Sequence, residues 1–380
     1  MSRNIKIYII AGEASGDLHG AALVNRFKEL NPQIIVRGWG GDQLQAAGTQ
    51  IDIRYEKTNF MGFSEVLKNL GKILGLFRTT KKILLDWKPD CLILIDYPGF
   101  NLRMAAWAFA HKIPVYYYIA PQVWAWKESR IKILKKFVRN LYVILPFELP
   151  YFKKNGIDAH YYGHPLVERI NNFKFNPDFR TENNLSNQSI LAILPGSRAQ
   201  EINSMLPVFL DAVRDESNYQ IVIAGLTQHK ILYETHLRNS NIKATLVYND
   251  TYNILYQAHH ALVTSGTATL ETALFGVPEI VCYKGNEMSY YLAKKLIKVK
   301  YISLVNLIAD ANIVPELIQS NCNSVAIKKQ LNYLKDPAVR LKMKSDLKQL
   351  KHLLEGKDCY NHVAQHILND LQTIMHGISE

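Results

Sequence analysis

Short apolar runs recur along this chain at intervals that leave room for a helix between successive runs, and no other feature limits its fold as tightly. Residues 5–10, 34–36, 92–95, 115–119 and 141–145 form one series, and a shorter run, His160-Tyr161-Tyr162, closes it. The pattern restarts at 190–194 and continues through 220–224, 244–247, 261–264 and 279–283. Strands that are apolar throughout, rather than alternating with polar residues, are buried on both faces. Parallel sheets flanked by helices supply that environment. The expected class is therefore α/β.

A chain of 380 residues is long for one core, and the interruption between the two series marks where it divides. Residues 171–188 are Asn-rich, include Pro177 and lack apolar periodicity, which reads as a linker. The expected organisation is a first Rossmann-like domain at 1–170, that linker, a second Rossmann-like domain at 189–350, and a helical tail at 351–380. Two such domains predict a ligand cleft between their carboxyl strand edges. No apolar run approaches the ~20 residues needed to span a bilayer. The first apolar run is also too short for a signal peptide, so the expected location is the cytoplasm. Cys91, Cys282, Cys322 and Cys359 show no metal-ligand spacing and read as buried reduced thiols. The net charge of +12 suits nucleic acid, an anionic membrane or phosphorylated small molecules, and no nucleic-acid motif accompanies it.

The second series opens on a run that ends in Pro195-Gly196-Ser197-Arg198 and passes into helix-forming sequence. Amides in a helix's first turn lack carbonyl partners, the helix dipole favours an anion there, and Arg198 adds a fork suited to phosphate. A turn whose Arg reaches only solvent is the plain alternative. Ser265-Gly266-Thr267 again joins a strand to a helix, with Glu271 one turn in, where a carboxylate can accept both hydroxyls of a ribose. An exposed Glu aided by the dipole is the simpler account. In the first loop, Gly12 and Gly16 permit close backbone approach while Glu13, Ser15 and Asp17 add polar groups. A structural turn capped by Asp17 fits nearly as well. Asp96 follows a buried strand directly and is either a helix N-cap or a general base. Trp124 and Trp126 can stack a sugar or pack a hinge, and His164 is as readily structural as catalytic.

Six motifs taken together resemble the lipid-A-disaccharide synthase family. They are Ala11-Gly12-Glu13-x-Ser15-Gly16-Asp17, Asp96-x-Pro98-x-Phe100-Asn101, Gln122-Val123-Trp124-Ala125-Trp126, Leu194-Pro195-Gly196-Ser197-Arg198, Ser265-Gly266-Thr267-Ala268-x-Leu270-Glu271 and Ser303-Leu304-x-Asn306-Leu307, in order over about residues 5–320. The resemblance implies a GT-B glycosyltransferase that joins UDP-2,3-diacylglucosamine to 2,3-diacylglucosamine 1-phosphate with inversion and releases UDP. It implies Asp96 as the base. On the nucleotide side it implies Arg198, Glu271 and Asn306, to which the turns add Gly196, Ser197, Ser265, Gly266 and Thr267 as donor-side candidates, and in the acceptor-side loop it implies Glu13 and Ser15, to which the loop adds Gly12, Gly16 and Asp17. Gly99 stands where some relatives carry a second acidic residue, which puts a two-carboxylate mechanism in doubt. UDP belongs to the donor, no cofactor is implied, and without a DxD-like pair no metal is expected. A homodimer is left open. A UDP-sugar 2-epimerase of the same fold, a non-catalytic nucleotide-binding module and a basic RNA-binding protein are the competing readings.

Lipid substrates would require contact with the cytoplasmic face of the inner membrane. Phe63, Val66, Leu70, Ile73 and Phe77 recur at helical spacing, with Gly71 and Gly75 interrupting the helix. A helix laid on the sheet explains the pattern most simply. The expectation carried forward is that these residues dip into the membrane interface.

Overall fold

The computed structural model describes residues 4–57, 70–125, 128–285 and 300–377. It divides into two compact units, Met1–Pro165 with Gly356–Glu380, and Leu166–Glu355. Each is built on a parallel sheet, as the apolar runs require.

The first unit contains β1 (Lys6–Ala11), β2 (Ile35–Gly40), β3 (Gln50–Arg54), β4 (Cys91–Ile95), β5 (Val115–Tyr118), β6 (Asn140–Val143) and β7 (Ala159–Tyr161). Their order in the sheet is β3-β2-β1-β4-β5-β6-β7. The chain moves outward from β1, returns, and lays β4 on the other side of it. Side chains alternate between two cores as strand geometry demands. Ile7, Ile9, Ile93 and Ile95 face one core, and Tyr8, Ile10, Leu92 and Leu94 the other.

The second unit repeats the plan with β8 (Ile190–Leu194), β9 (Gln220–Gly225), β10 (Thr245–Tyr248), β11 (Ala258–Thr264), β12 (Glu279–Tyr283) and β13 (Glu316–Ile318). The order is β10-β9-β8-β11-β12-β13, so the reversal falls between β8 and β11.

The unit boundaries differ from those read in the sequence. Phe179 lies within the expected linker, yet it is fully buried with Ile190, Ala192 and Val222, which ties 171–188 to the second unit. The tail is shared. The helix Pro337–Leu354 buries Leu347, Leu350 and Leu354 in the second unit's core. The helix Cys359–Gly377 instead puts Val363, Ala364, Ile367 and Leu371 into the first unit's core with Leu23 and Phe27. Full burial of each Leu or Ile stabilises by about 1.5–3 kcal/mol, enough to hold a helix far along the chain against the first unit. Asp370 adds polar anchors, accepting from Tyr116 Oη at 2.6 Å and Arg139 Nη2 at 2.8 Å.

The amphipathic segment also needs correction. In the helix Leu70–Trp87, Phe77 is only 8% exposed and stacks on Phe100, with ring centroids 4.0 Å apart and an interplanar angle of 19°. Ile73 packs on the same core. These two residues cover the sheet and do not form a membrane face. Phe63 and Val66 lie outside the described residues, and Leu70 begins the helix. The outward stripe is instead Leu74, Arg78, Lys82 and Leu85. Among the described residues no helix is long and apolar enough to cross a membrane.

One buried group works against the fold. Glu279 at the start of β12 is fully buried, neither carboxylate oxygen has a hydrogen-bond partner among the described residues, and burial raises its pKa well above 4.5. A carboxyl raised in this way favours folding below its unfolded pKa, and that advantage is lost as pH rises toward the folded value. Glu279→Gln removes the charge while keeping the shape. In urea denaturation at pH 5, 6 and 7, the variant should gain on the parent chain with each step. The ceiling is about 1.4 kcal/mol per pH unit until the folded carboxyl ionises. An unchanged difference across the series would show that Glu279 is ionised in the folded protein.

Candidate active-site residues in each unit

In a doubly wound sheet, strand ends diverge at the point where the winding reverses, and ligands are held there at the carboxyl edge. In the first unit this point lies between β1, followed by Glu13, and β4, followed by Asp96. Asp96 and Tyr97 both adopt left-handed backbone, with φ of 43° and 47°. The Asp96 amide donates to the Tyr118 carbonyl at 3.2 Å. Its own carbonyl accepts from Tyr117 Oη at 2.6 Å and Asn101 Nδ2 at 2.7 Å. Ile119, immediately beyond β5, is a third left-handed residue at φ 61°. Beta-branched residues rarely adopt this conformation, and β5 ends at Tyr118.

The helix Pro98–Ala110 begins after Tyr97, which occupies the cap position without a side-chain capping bond. Asp96 is therefore not the N-cap. Asp96 is half-buried as a residue, and its carboxyl pKa is raised to about 6 by burial first and by the Glu13 charge second, with the Tyr97 amide pulling the other way. The Tyr97 ring lies against Gly12, where a Cβ would come within 2.4 Å of Cδ1. Any side chain at Gly12 would push this ring away, so the glycine locks the β1 turn to the β4 turn. Gly16 packs closely on Ala11, and Ser15 is exposed. Asp17 turns inward, where Oδ1 accepts from the Gly41 amide at 2.6 Å and the Leu44 amide at 3.1 Å, and Oδ2 from Gln43 at 3.1 Å. Its carboxylate caps the helix Asp42–Ala46 and is not offered to a ligand. Gly99 is exposed with open space around it, so nothing steric requires a glycine there.

Sequence reading did not mark Glu148. It is 1% exposed and accepts from Trp124 Nε1 at 2.9 Å and from the amides of Leu145 at 3.1 Å and Ile144 at 3.3 Å. Burial raises its pKa to about 7; those three donors oppose the rise and the Asp96 charge adds to it. No local sequence pattern announces the bond to Trp124, which comes from another loop.

In the second unit, the β8 and β11 turns lie beside each other at the reversal. Gly196 adopts φ 109°, and the helix Ala199–Ala212 follows the turn. The amides expected to await an anion already bind one. Glu201 Oε2 accepts from Ser197 N at 3.0 Å and Arg198 N at 3.3 Å, and Oε1 pairs with Arg198 Nη1 at 2.9 Å. The signal was legible, because a Glu three residues after a cap position is the capping-box spacing. Gly266 and Thr267 are exposed at the neighbouring turn, and the Ser265 amide donates to the Cys282 carbonyl at 2.8 Å. Glu271 Oε1 accepts from Tyr252 Oη at 2.9 Å, while the Arg169 guanidinium lies over the Tyr252 ring at 4.8 Å. Burial raises the Glu271 pKa, and Tyr252 and Arg169 oppose the rise.

Asn306 departs from its expected role. It is fully buried, and Nδ2 donates to the Val314 carbonyl at 2.8 Å and Glu316 Oε1 at 2.9 Å. Its Oδ1 accepts the amides of Ile313 at 2.8 Å and Val314 at 3.0 Å. A side chain with this many internal bonds builds the approach to β13 and has no capacity left for a nucleotide. Among the described residues, no group of three or more His, Cys, Asp or Glu side chains is arranged to hold a metal ion.

Two parallel sheets with polar turns gathered at both reversal points define a GT-B-type fold. Solved structures agree on that architecture. The UDP-N-acetylglucosamine 2-epimerase from Neisseria meningitidis, bound to UDP-N-acetylglucosamine, has a TM-score of 0.62 over 97% of this chain and 100% of its own, at 13% identity. A spinosyn rhamnosyltransferase reaches 0.62 over 96% and 99%, at 10% identity. At these identities the likeness concerns the fold alone. The lipid-A-disaccharide synthetase family model matches residues 7–368, and the chain belongs to that family. It is 39% identical to the lipid-A-disaccharide synthase of Syntrophus aciditrophicus over 92% of this chain and 93% of that protein. It is 34% identical to that of Geobacter sulfurreducens over 96% and 97%.

The Asn306 geometry makes a direct prediction. Asn306→Ala should lower stability by about 2–4 kcal/mol, since it takes the acceptor from the buried Val314 amide and one donor from Glu316. UDP affinity of the folded variant should stay within about twofold of the parent, because no bond to the nucleotide is lost. Urea denaturation and calorimetry on one preparation test both halves, and a large loss of affinity at unchanged stability would return Asn306 to the nucleotide.

Proposed function

We propose that the chain transfers the 2,3-diacylglucosaminyl group from UDP-2,3-diacylglucosamine to 2,3-diacylglucosamine 1-phosphate with inversion, forming lipid A disaccharide 1-phosphate and UDP. The observation that carries this reading is the family match over residues 7–368 together with Asp96 at the β1/β4 reversal. A member of this family is a hexosyltransferase. The general chemistry requires a base for the acceptor hydroxyl and a stabilised diphosphate leaving group. In this reading the first unit supplies the base, Asp96, beside Glu13. The second supplies the turns holding Gly196, Ser197 and Arg198, and Ser265, Gly266 and Thr267, with Glu271 available to the ribose. Arg198 and the amides of its turn, on exchanging Glu201 for the nucleotide, neutralise the departing diphosphate, so the proposed reaction uses no metal or other cofactor.

The experiment is detection of a disaccharide by thin-layer chromatography from the two acylated monosaccharides. A family member limited to epimerisation would give no disaccharide. Asp96→Asn should keep UDP affinity and cut turnover by about 10²–10⁴. In the parent chain, kcat/KM should rise as pH passes through about 6, because the base acts only when ionised. Wild-type turnover in the Asn variant would remove Asp96 from the reaction. Arg198→Ala should weaken UDP binding by about 1.5–3 kcal/mol, the contribution of a charge-assisted bond, and leave acceptor affinity unchanged. Equal UDP affinity by calorimetry would remove Arg198 from the diphosphate.

The proposed substrates are membrane lipids, so we place the protein peripherally on the cytoplasmic face of the inner membrane. Support comes from the stripe Leu74, Arg78, Lys82 and Leu85, where Leu74 and Leu85 are 47% and 49% exposed. Two cations between apolar tips suit an anionic lipid surface. Changing Leu74 and Leu85 together to Ser should lower binding to phosphatidylglycerol-containing vesicles and spare turnover in detergent micelles. Unchanged vesicle binding would place the contact elsewhere.

A further inference from the structure

The loop after β5 holds an aromatic side chain in an arrangement that packing alone does not require. Its neighbours Val123 and Ala125 are buried at 0% and 7% exposure, whereas Trp124 between them is half-buried. The indole has lost its freedom on two sides. Its N–H is tied to Glu148 at 2.9 Å, and its ring meets Phe147 edge-on at 5.0 Å and 83°. Glu148 is itself immobilised by the amides of Ile144 and Leu145. A carboxylate taken out of water carries a large desolvation cost, and among the described residues it accepts those two amides and one indole N–H. A tryptophan that needed only to fill space could satisfy its N–H with a backbone carbonyl, at lower cost than a buried carboxylate.

Placement connects this pair to the reaction. β5 lies directly beside β4, with Tyr118 opposite Ile95, and β6 lies beside β5. Glu13, Asp96, Trp124 and Glu148 therefore follow β1, β4, β5 and β6, four consecutive strands, all at the carboxyl edge. The electrostatic influence of Asp96 reaches Glu148. The N–H is engaged inside the protein, so the part of the indole left open is carbon surface. Such a surface suits the C–H face of a pyranose better than a phosphate or a hydroxyl.

We propose that Trp124 is the platform on which the acceptor sugar stacks beside Asp96, and that Glu148 is the positioning residue that fixes the indole. The proposal rests on the reaction given above and adds a subsite to it. A ring held in place before binding loses little freedom when the sugar arrives, and this is how a single stacking contact becomes selective. Glu148 touches no substrate and acts only through Trp124.

The test is a double-mutant cycle in the full chain, using Trp124→Phe, Glu148→Gln and their combination, with Trp124→Ala as the full truncation. Initial rates are taken while varying UDP-2,3-diacylglucosamine and 2,3-diacylglucosamine 1-phosphate separately in micelles. Acceptor and UDP affinities are measured by calorimetry on the same preparations. Trp124→Ala should raise the acceptor KM at least tenfold and leave the donor KM and UDP affinity within twofold. Glu148→Gln should raise the acceptor KM severalfold in the parent chain, and should add little once Trp124→Phe has removed the N–H. A merely structural pair would instead lower melting temperature and affect both substrates alike, and that result overturns the proposal. So does an acceptor affinity unchanged by Trp124→Ala. If the parent chain makes no disaccharide but binds the acceptor, the proposed reaction fails and the acceptor isotherms still decide the platform. If it does not bind the acceptor, both fail.

Discussion

A parallel sheet covered on both faces leaves little of itself available for chemistry, and this constraint governs both units. Ile7, Ile9, Ile93 and Ile95 on one side, and Tyr8, Ile10, Leu92 and Leu94 on the other, are completely buried. Function is thereby pushed to the strand ends, and among those to the two places where winding reverses and the following loops diverge. Glu13 and Asp96 occupy one, and the Gly196 and Gly266 turns occupy the other. Neither arrangement needs a long excursion of chain, because each residue stands within a few positions of a strand that the core already fixes.

Within those turns, motif residues divide into those that hold and those that remain open to a partner. Asp17 caps a neighbouring helix, and Asn306 ties the approach to β13. Glu316 gathers the amides of Ile302 and Ser303, each at 3.0 Å. All of these are polar residues in or beside recognisable motifs, and all are spent inside the protein. Arg198 is intermediate. Its side chain is 59% exposed but paired with Glu201, so the turn reads as an anion site already satisfied by the chain's own carboxylate. Surface pairs of this kind contribute roughly 0–1 kcal/mol, a modest competitor for a diphosphate.

The strands that carry both reversals were legible because a continuous apolar run of strand length, closed by turn residues, suits little except a buried strand. The edge strands β3 and β13 were not. Gln50–Arg54 alternates polar and apolar residues, and Glu316–Ile318 spans only three positions, so neither has the signature of a buried strand. The linker was misplaced for a related reason: one buried aromatic, Phe179, secures a stretch whose composition is otherwise that of a loop. Periodicity identified the apolar face of Leu70–Trp87 but could not say what covered it. Phe77 meets the sheet, and a membrane would have demanded the same spacing. The Glu148–Trp124 bond and the Arg169–Tyr252–Glu271 group were beyond reach because they join loops or helices separated in the chain.

The motif around Asp96 shows how such pieces act together. Left-handed backbone at Asp96, Tyr97 and Ile119 costs on the order of 1–3 kcal/mol at each residue. Asn101 and Tyr117 offset part of this by donating to the Asp96 carbonyl, and the Tyr97 ring closes over Gly12. Pro98 supplies the first residue of the following helix with its backbone already set. Phe100 is the buried end of the device, its ring 4.3 Å from Trp39 and 4.0 Å from Phe77 by centroid. Pro98, Phe100 and Asn101 thus each have a separate physical task in holding the Asp96 turn. The same stack joins this loop to the helix that carries Leu74, Arg78, Lys82 and Leu85. A shift of that helix would be transmitted to the Asp96 turn through two aromatic rings, because a packed core cannot absorb it locally.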